Sequence, residues 1–195
     1  MNSPILLLAA GASLRMGTSK QLLVVDGEPL LLRSVHAALE ASSDVTVVLG
    51  ANAHAHRVVL RDLSIRVVDH PGWELGMGSS LKAGLKAIVA ANPAVTEVIV
   101  MLCDQPKVGG THLKAILNEA SRSNQEIIAS RYHDTLGVPA LFKASVFSEL
   151  LKLSDEAGAS KLIRNHPEKV EAVDFPDGAI DLDTPDDVAQ YTSLP

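Results

Sequence analysis

Leu8-Ala9-Ala10-Gly11-Ala12-Ser13-Leu14-Arg15-Met16-Gly17-Thr18-Ser19-Lys20 is the stretch on which the reading of this chain turns. It follows Pro4-Ile5-Leu6-Leu7-Leu8, an apolar run of strand length. Unbroken apolar runs of that size mark strands buried on both faces of a parallel sheet. Large side chains then give way to small ones. Gly11 and Gly17 allow a tight turn and close approach to a ligand, and Arg15 and Lys20 set two cations beside free backbone N–H groups. Small residues, free N–H groups and fixed positive charge suit a triphosphate. The stretch has neither the Gly-x-x-x-x-Gly-Lys-Ser/Thr spacing of an ATPase P-loop nor the Gly-x-Gly-x-x-Gly of a dinucleotide fold. On spacing alone it fits equally well an ordinary strand-to-helix loop with two solvated cations.

The chain around this stretch has 195 residues, a length that predicts a single domain over 1–195. Hydrophobic residues make up 47% and aromatics only 3%, so aliphatic side chains must fill the core. A formal net charge of -6 argues against non-specific nucleic-acid binding, and any anionic substrate needs a local cluster of donors and cations. Cys103 is the sole cysteine, which excludes an intrachain disulfide and a multi-cysteine metal site; it ends an apolar run and reads as core. The apolar runs fall short of the ~20 residues that span a membrane, and no cationic segment precedes the first of them. A reducing cytoplasm is the expected location.

Strand-like runs alternate with helix-period segments. Strands are expected at Ile5–Ala9, Val45–Leu49, Ile65–Val68, Val98–Leu102 and Ile127–Ser130, and helices at Leu30–Ala41, Ala53–Leu63, Ser79–Ala91, Thr111–Ser121, Ala144–Leu151 and Ala159–Asn165. That alternation predicts an α/β fold, a mostly parallel sheet flanked by helices on both faces, with ligands at the carboxyl ends of the strands. Leu22–Pro29 reads as a short hairpin turning at Asp26-Gly27. His36 reads as a structural histidine. His54 and His56, two apart on a helix, point to different faces and make a poor metal pair.

Four further stretches follow strand ends or lie in loops. Asp69-His70-Pro71-Gly72-Trp73-Glu74-Leu75-Gly76-Met77-Gly78-Ser79-Ser80-Leu81 opens a helix with three glycines and two serines, a close-approach loop with N-capping groups. Val98–Leu102 runs into Cys103-Asp104-Gln105-Pro106; an aspartate at a strand's carboxyl end is a candidate Mg²⁺ ligand and equally a helix cap. Arg131-Tyr132-His133 precedes Leu136-Gly137-Val138-Pro139-Ala140-Leu141-Phe142, where Gly137 permits close backbone approach and Pro139 stiffens the chain. In Asp181-Leu182-Asp183-Thr184-Pro185-Asp186-Asp187, Thr184 N-caps a final helix with Pro185 at its first position. That cap leaves Asp181 and Asp183, alternating on an extended segment, without an explanation.

Leu-Ala-Ala-Gly-x-Ser-x-Arg-Met-Gly-x-x-Lys resembles the signature of nucleotidyltransferases related to molybdopterin guanylyltransferase, and is most similar to the molybdenum cofactor cytidylyltransferase branch. The guanylyl branch usually begins Leu-Ala-Gly-Gly. Pro-x-Trp-x-x-Gly-Met-x-Ser-Ser-Leu also resembles the cytidylyl branch. The resemblance runs from Ile5 to about Tyr191 and implies a three-layer Rossmann-like nucleotidyltransferase fold. It implies that Leu8, Ala9, Ala10, Gly11 and Ser13 wrap a nucleoside triphosphate whose phosphates Arg15 and Lys20 bind. It implies also that Gly78, Ser79 and Ser80 read base and ribose, with Trp73 packed beneath the loop. Asp104 would hold Mg²⁺, with Asp181 or Asp183 as second ligand. Gly137 and Pro139 would lie on the acceptor side; Arg131 and His133 would meet an acceptor phosphate or face solvent. The family's Gly-Asp-x-Gly-Ala-Arg run departs here to Asp155-Glu156-Ala157-Gly158-Ala159-Ser160-Lys161, so Lys161 is the candidate replacement cation, turned ~100° round the helix.

The implied reaction is attack by an acceptor phosphate on the α-phosphorus of a nucleoside triphosphate, with CTP favoured, molybdopterin-bound molybdenum cofactor as acceptor and pyrophosphate released. A transient contact with a molybdoenzyme would follow. Guanylyl transfer, sugar-phosphate nucleotidyl transfer and a non-catalytic pterin-cofactor carrier are the alternatives.

Overall fold

β1 (Ile5–Ala9) lies inside a seven-stranded sheet with all five side chains buried. The computed structural model describes residues 3–192; the two N-terminal and three C-terminal residues of the expected 1–195 domain lie outside them. Side chains of β1 alternate between two cores. Ile5, Leu7 and Ala9 join one cluster, and Leu6 and Leu8 the other. This is the period-2 geometry of a strand covered on both faces.

β2 (Val24–Val25) and β3 (Glu28–Pro29) form the expected small hairpin. α1 (Leu30–Ala41) follows and buries Leu31, Val35 and Ala38 against the first core. After it come β4 (Val45–Leu49), α2 (Ala53–Leu60), β5 (Arg66–Asp69), α3 (Met77–Ala91), β6 (Glu97–Leu102), α4 (Gly110–Ala120), β7 (Ile127–Tyr132) and β8 (Thr135–Lys143). The chain ends with α5 (Phe147–Lys152), α6 (Ser160–Asn165), β9 (Val170–Asp174) and α7 (Pro185–Thr192). α3 packs Leu81, Leu85 and Ile88 into the second core, on the opposite face of the sheet from α1 and α4.

The sheet order is β5-β4-β1-β6-β8-β7-β9. Only the pairings of β8 with β6 and β7 are antiparallel. From β1 the chain moves outward to β4 and β5, then returns to β6 on the other side of β1. The carboxyl ends of β1 and β6 therefore flank the point where strand order reverses, the usual ligand crevice of such sheets.

Two strands were not expected. β9 is a short, half-buried edge strand, too weakly apolar to stand out. β8 occupies a stretch for which no element was expected, since Gly137 and Pro139 interrupt its apolar run. The register shows how they are accommodated. Ala129 pairs with Ala140 while Ser130 pairs with Gly137, so Val138 and Pro139 bulge out of the β7 ladder. Proline is tolerated at bulges because no ladder donor is required there.

Two contacts make the packing testable. Gly84 of α3 sits so close to the sheet that a Cβ there would lie 2.3 Å from Leu6 Cδ1 and 2.7 Å from Val48 Cγ2. Gly84→Val should cost ~2 kcal/mol by overpacking, read as a lower urea midpoint with unchanged slope. On the other face, His112 stacks on Phe175 with centroids 4.0 Å apart and places Nε2 2.7 Å from Ser130 Oγ. Burial lowers its pKa to about 4. The folded state then binds fewer protons than the unfolded chain between pH 6.5 and about 4, so its contribution is intact above pH 6.5 and is lost as pH falls through that window. The loss should reach about 2 kcal/mol, allowing for the ring's partial contact with water. His112→Gln should remove this component from the difference between urea unfolding free energies measured at pH 7 and pH 4.5.

Candidate active site

Residues 9–22 leave the end of β1 as a loop fastened from behind by one buried glutamine. Gln21 is 1% exposed. Its Nε2 donates to the Gly11 carbonyl at 2.8 Å, and its Oε1 accepts from Ser13 Oγ at 3.0 Å and Ser19 Oγ at 2.9 Å. Ser13, held at φ 56°, also accepts from the Lys20 backbone N–H. Ser19 Oγ lies 2.8 Å from His56 Nε2. Since Ser19 gives its proton to Gln21, His56 is the donor in that contact. His56 is fully buried and burial lowers its pKa, so it serves as a neutral anchor on α2. Neither Gln21 nor this role for His56 was marked by the sequence; the one available signal was a glutamine beside an otherwise small-residue loop.

The latch presents Lys20 to two aspartates. Lys20 Nζ donates to Asp104 Oδ2 and Asp183 Oδ1, both at 2.8 Å. Arg15 Nη2 donates to the other Asp183 oxygen at 2.7 Å. Burial opposes the Lys20 charge, but Asp104 and Asp183 outweigh it and hold its pKa above the usual lysine value. The same cations keep Asp183 below the ordinary carboxylate range despite its partial burial. Asp104 Oδ1 is buried and has no hydrogen-bond partner among the described residues.

Asp181 stands two residues from Asp183, across Leu182. The Leu182 N–H donates to the Asp104 carbonyl at 2.9 Å, and Gln105 Nε2 donates to the Gly178 carbonyl at 3.0 Å. These bonds stitch the C-terminal segment to the end of β6. The Asp181 carboxyl is pushed up to about 6, first by burial and then by the charges of Asp104 and Asp183. Thr184 and Asp187 cap α7 reciprocally: Asp187 Oδ2 accepts from the Thr184 N–H, and the Asp187 N–H donates to Thr184 Oγ1. The cap fixes where Asp183 leaves the segment.

Three cavities meet here. One of about 290 Å³ is lined by Leu8, Ala9, Ala10 and Gly11, by Lys20 and Asp104, and by Trp73, Met77 and Ser80. A second, about 380 Å³, holds Ser13, Arg15 and Asp183 and shares Gly11, Lys20 and Trp73 with the first. Trp73 thus borders the groove with one part of its surface while it packs against the second core and Gly50 with another. Of the three residues expected at the base, Ser80 lines the groove. Ser79 instead donates to the Gly72 and Gly76 carbonyls. Gly78 sits where a Cβ would lie 2.2 Å from the Ser154 carbonyl oxygen. Ser79 thus fastens the loop before α3, and Gly78 lets α3 approach the 154–157 segment.

The third cavity, about 230 Å³, adjoins the first through Leu8, Met77 and Leu102 and is lined further by Val138, Lys161 and Arg164. The bulge in β8 brings Val138 here. Gly137 answers to a different demand: a Cβ would lie 1.9 Å from Tyr132 Oη. Pro139 accepts from Ser130 Oγ through its carbonyl. Arg131 pairs with Asp174 at 3.3 Å on an exposed surface, away from these three cavities. Cys103 is a buried thiol pushed up to about 12 by burial, and reads as core as expected. His36 pairs with Glu28 at 2.8 Å, while His56 is spent on the latch. Among the described residues, no three His, Cys, Asp or Glu groups converge tightly enough to hold a metal ion unaided, and no helix is long and apolar enough to cross a membrane.

Residues 5–170 match the MobA-like NTP transferase domain, and the chain belongs to that family. It is 31% identical over 190 residues to nicotine blue oxidoreductase of Paenarthrobacter nicotinovorans, covering 91% of this chain and 90% of that one. It is 29% identical over 176 residues to purine catabolism protein PucB of Bacillus subtilis, covering 85% and 83%. It is 26% identical over 193 residues to molybdenum cofactor guanylyltransferase of Vibrio atlanticus, covering 96% and 94%. The crystal structure of Rv0371c from Mycobacterium tuberculosis superposes with a TM-score of 0.83 at 30% identity over the whole of both chains. The same protein has been solved in complex with manganese, with a TM-score of 0.77 and the same identity and coverage. The fold is thus the expected Rossmann-like one, and the chain is a nucleotidyltransferase of the MobA-like family.

Gln21→Ala should release the loop without unfolding the sheet. Amide hydrogen exchange of residues 11–20 should rise about tenfold or more while β1 and β6 keep wild-type protection.

Proposed function

We propose that this chain transfers a cytidylyl group from CTP to a phosphate of a molybdopterin-type molybdenum cofactor, releasing pyrophosphate, in a reducing cytoplasm. The observation that carries the reading is the meeting of Lys20, Asp104 and Asp183 at the strand-order reversal, with Asp104 Oδ1 left unpartnered beside a groove. Cytidine is favoured over guanine by the Leu8-Ala9-Ala10-Gly11 start. The guanylyltransferase relative keeps GTP as the second reading.

The donor set suits a hard divalent cation. An unpartnered carboxylate oxygen on Asp104, with Asp183 or Asp181 beside it, supplies the one or two carboxylates that Mg²⁺ takes when phosphates and waters complete its shell. The manganese complex of Rv0371c supports a divalent ion of this kind. When bound, such an ion neutralises charge on the phosphate oxygens.

The chain's own residues then position and neutralise. Lys20 and Arg15, which hold the carboxylates now, turn to the phosphates of the nucleotide. Ala10, Gly11, Ala12 and Ser13 border the space for the same phosphates, and Trp73 and Ser80 border the space for base and ribose. An oxygen of the acceptor phosphate forms a bond to the α-phosphorus as the bond from that phosphorus to the bridging oxygen breaks, and the electron pair leaves with pyrophosphate. The nucleophile belongs to the acceptor, so catalysis is placement and charge stabilisation. The product would pass to a molybdoenzyme by transient contact.

CTP, GTP, ATP and UTP should be compared for pyrophosphate release with a reduced pterin phosphate as acceptor and Mg²⁺ present. CTP should lead; a preference for GTP would move the base assignment and leave the reaction standing. Asp104→Asn, which keeps an oxygen facing Lys20, should lower turnover by about 100-fold or more with turnover normalised to the folded fraction seen by circular dichroism, and wild-type turnover in that variant would remove its role. A non-catalytic carrier would bind the pterin yet release no pyrophosphate with any of the four.

A further inference from the structure

Arg15, Arg33, Arg57, Arg61, Arg66 and Arg131 each pair with an aspartate. Arg122 and Arg164 are the two arginines with no carboxylate partner among the described residues, and of these Arg164 lines a cavity. An unpaired guanidinium is common on an open surface. At the rim of an apolar cavity it is a fork without its anion.

The short helix α6 explains its placement. Leu162 and Ile163 are buried in the second core at 3% and 1% exposure, which turns Lys161 and Arg164 outward. Residues three apart on a helix are neighbours on its surface, and both line the same 230 Å³ cavity, whose remaining walls include Leu8, Met77, Leu102 and Val138. Ser160 lies one turn before Arg164, so the two occupy nearly the same helical face. A side chain as long as arginine, directed back along the helix, covers the surface above position 160. Arg164 is also within electrostatic reach of the Tyr132 phenol, which feels the carboxylates of Asp181 and Asp104 as well. The cavity therefore runs from an apolar floor, through a paired cationic rim, toward the carboxylate cluster.

We propose that Arg164, assisted by Lys161, is the anion-binding residue of the acceptor site, and that this cavity takes the phosphate-monoester end of the acceptor, with the carbons next to the ester oxygen on its apolar walls. The proposal deepens the transfer reading and rests on it for the word acceptor. Arg164 gives two parallel N–H donors to one phosphate, Lys161 adds a point charge, and the apolar walls take the adjoining carbons. The acceptor cation of this chain thus sits one helical turn beyond Ser160, and Lys161 is its helper and not its replacement.

The probe is phenyl phosphate, titrated calorimetrically into the full-length protein alongside phenol, inorganic phosphate and benzoate. Wild-type protein should bind phenyl phosphate more tightly than any of the other three. Arg164→Gln should weaken it about tenfold or more, Arg164→Lys should recover part of the loss, and Lys161→Gln should cost about threefold. Arg122→Gln should leave the affinity within about twofold, because that arginine lines none of the three cavities. Unchanged affinity in Arg164→Gln, an equal loss in Arg122→Gln, or benzoate binding as tightly as phenyl phosphate would overturn the proposal. If the pattern holds while no nucleotide yields pyrophosphate, the transfer reading fails and this site stands. If pyrophosphate is released and Arg164→Gln leaves the acceptor KM unchanged, the site fails and the transfer reading stands.

Discussion

One ammonium group between two carboxylates holds the functional end of this molecule together. Lys20 comes from the loop after β1, Asp104 from the turn after β6 and Asp183 from the segment before α7. Each would carry an isolated charge into a half-buried cleft without the others. Lys20 and Asp104 are only 15% and 16% exposed, where removing one partner leaves the other desolvated and unpaired. The cluster therefore fixes the relation between chain ends that are far apart in sequence. It does so with charges that, in the proposed reaction, phosphates and a divalent ion would take over.

That exchange needs the surrounding backbone to stay in place when the charges change partners, and the scaffold supplies this in uncharged bonds. The Leu182 N–H on the Asp104 carbonyl and the Gln105 amide on the Gly178 carbonyl tie the C-terminal segment to β6. The Gln21 amide, Ser13, Ser19 and His56 tie the loop to α2. Neutral hydrogen bonds of this kind respond little to a nearby anion, so the proposed transfer of Lys20 and Arg15 to phosphates would leave Gly11 and Ala10 in place. Rigid backbone with mobile cationic side chains is the arrangement that lets binding energy go into placement.

The fold was legible because β1, β4 and β6 are nearly continuous apolar runs and α1, α3 and α4 carry clear helical periodicity; both follow from burial on two faces and on one. β8 was illegible because its irregular register, not its composition, makes it a strand. Gly137 and Pro139 are strand breakers in a regular ladder and are tolerated only where the bulge suspends it. In the site, charged residues could be found one by one, since Arg15, Lys20, Asp104, Asp181 and Asp183 stand out against apolar or small neighbours. Their mutual pairing could not, because it depends on how segments more than eighty residues apart meet. Gln21 escaped notice for a related reason. A neutral side chain that works by filling one hole or satisfying one carbonyl leaves no pattern in the residues around it.

Buried polar atoms are satisfied nearly everywhere in folded proteins, and each exception asks for a reason. Among the described residues the unsatisfied buried side-chain atoms are His56 Nδ1, Asp104 Oδ1 and Gln105 Oε1. All three belong to the cleft or to the latch behind its loop. Asp104 and Gln105 each use one side-chain atom to hold the architecture, through Lys20 and Gly178, and leave the other open. The fold thus concentrates its unmet hydrogen-bonding capacity where strands change order, at a cost in stability that a purely structural turn would have no cause to bear. Local rules are broken in functional sites for this reason, and here the break falls on a carboxylate of the groove at the ends of β1 and β6.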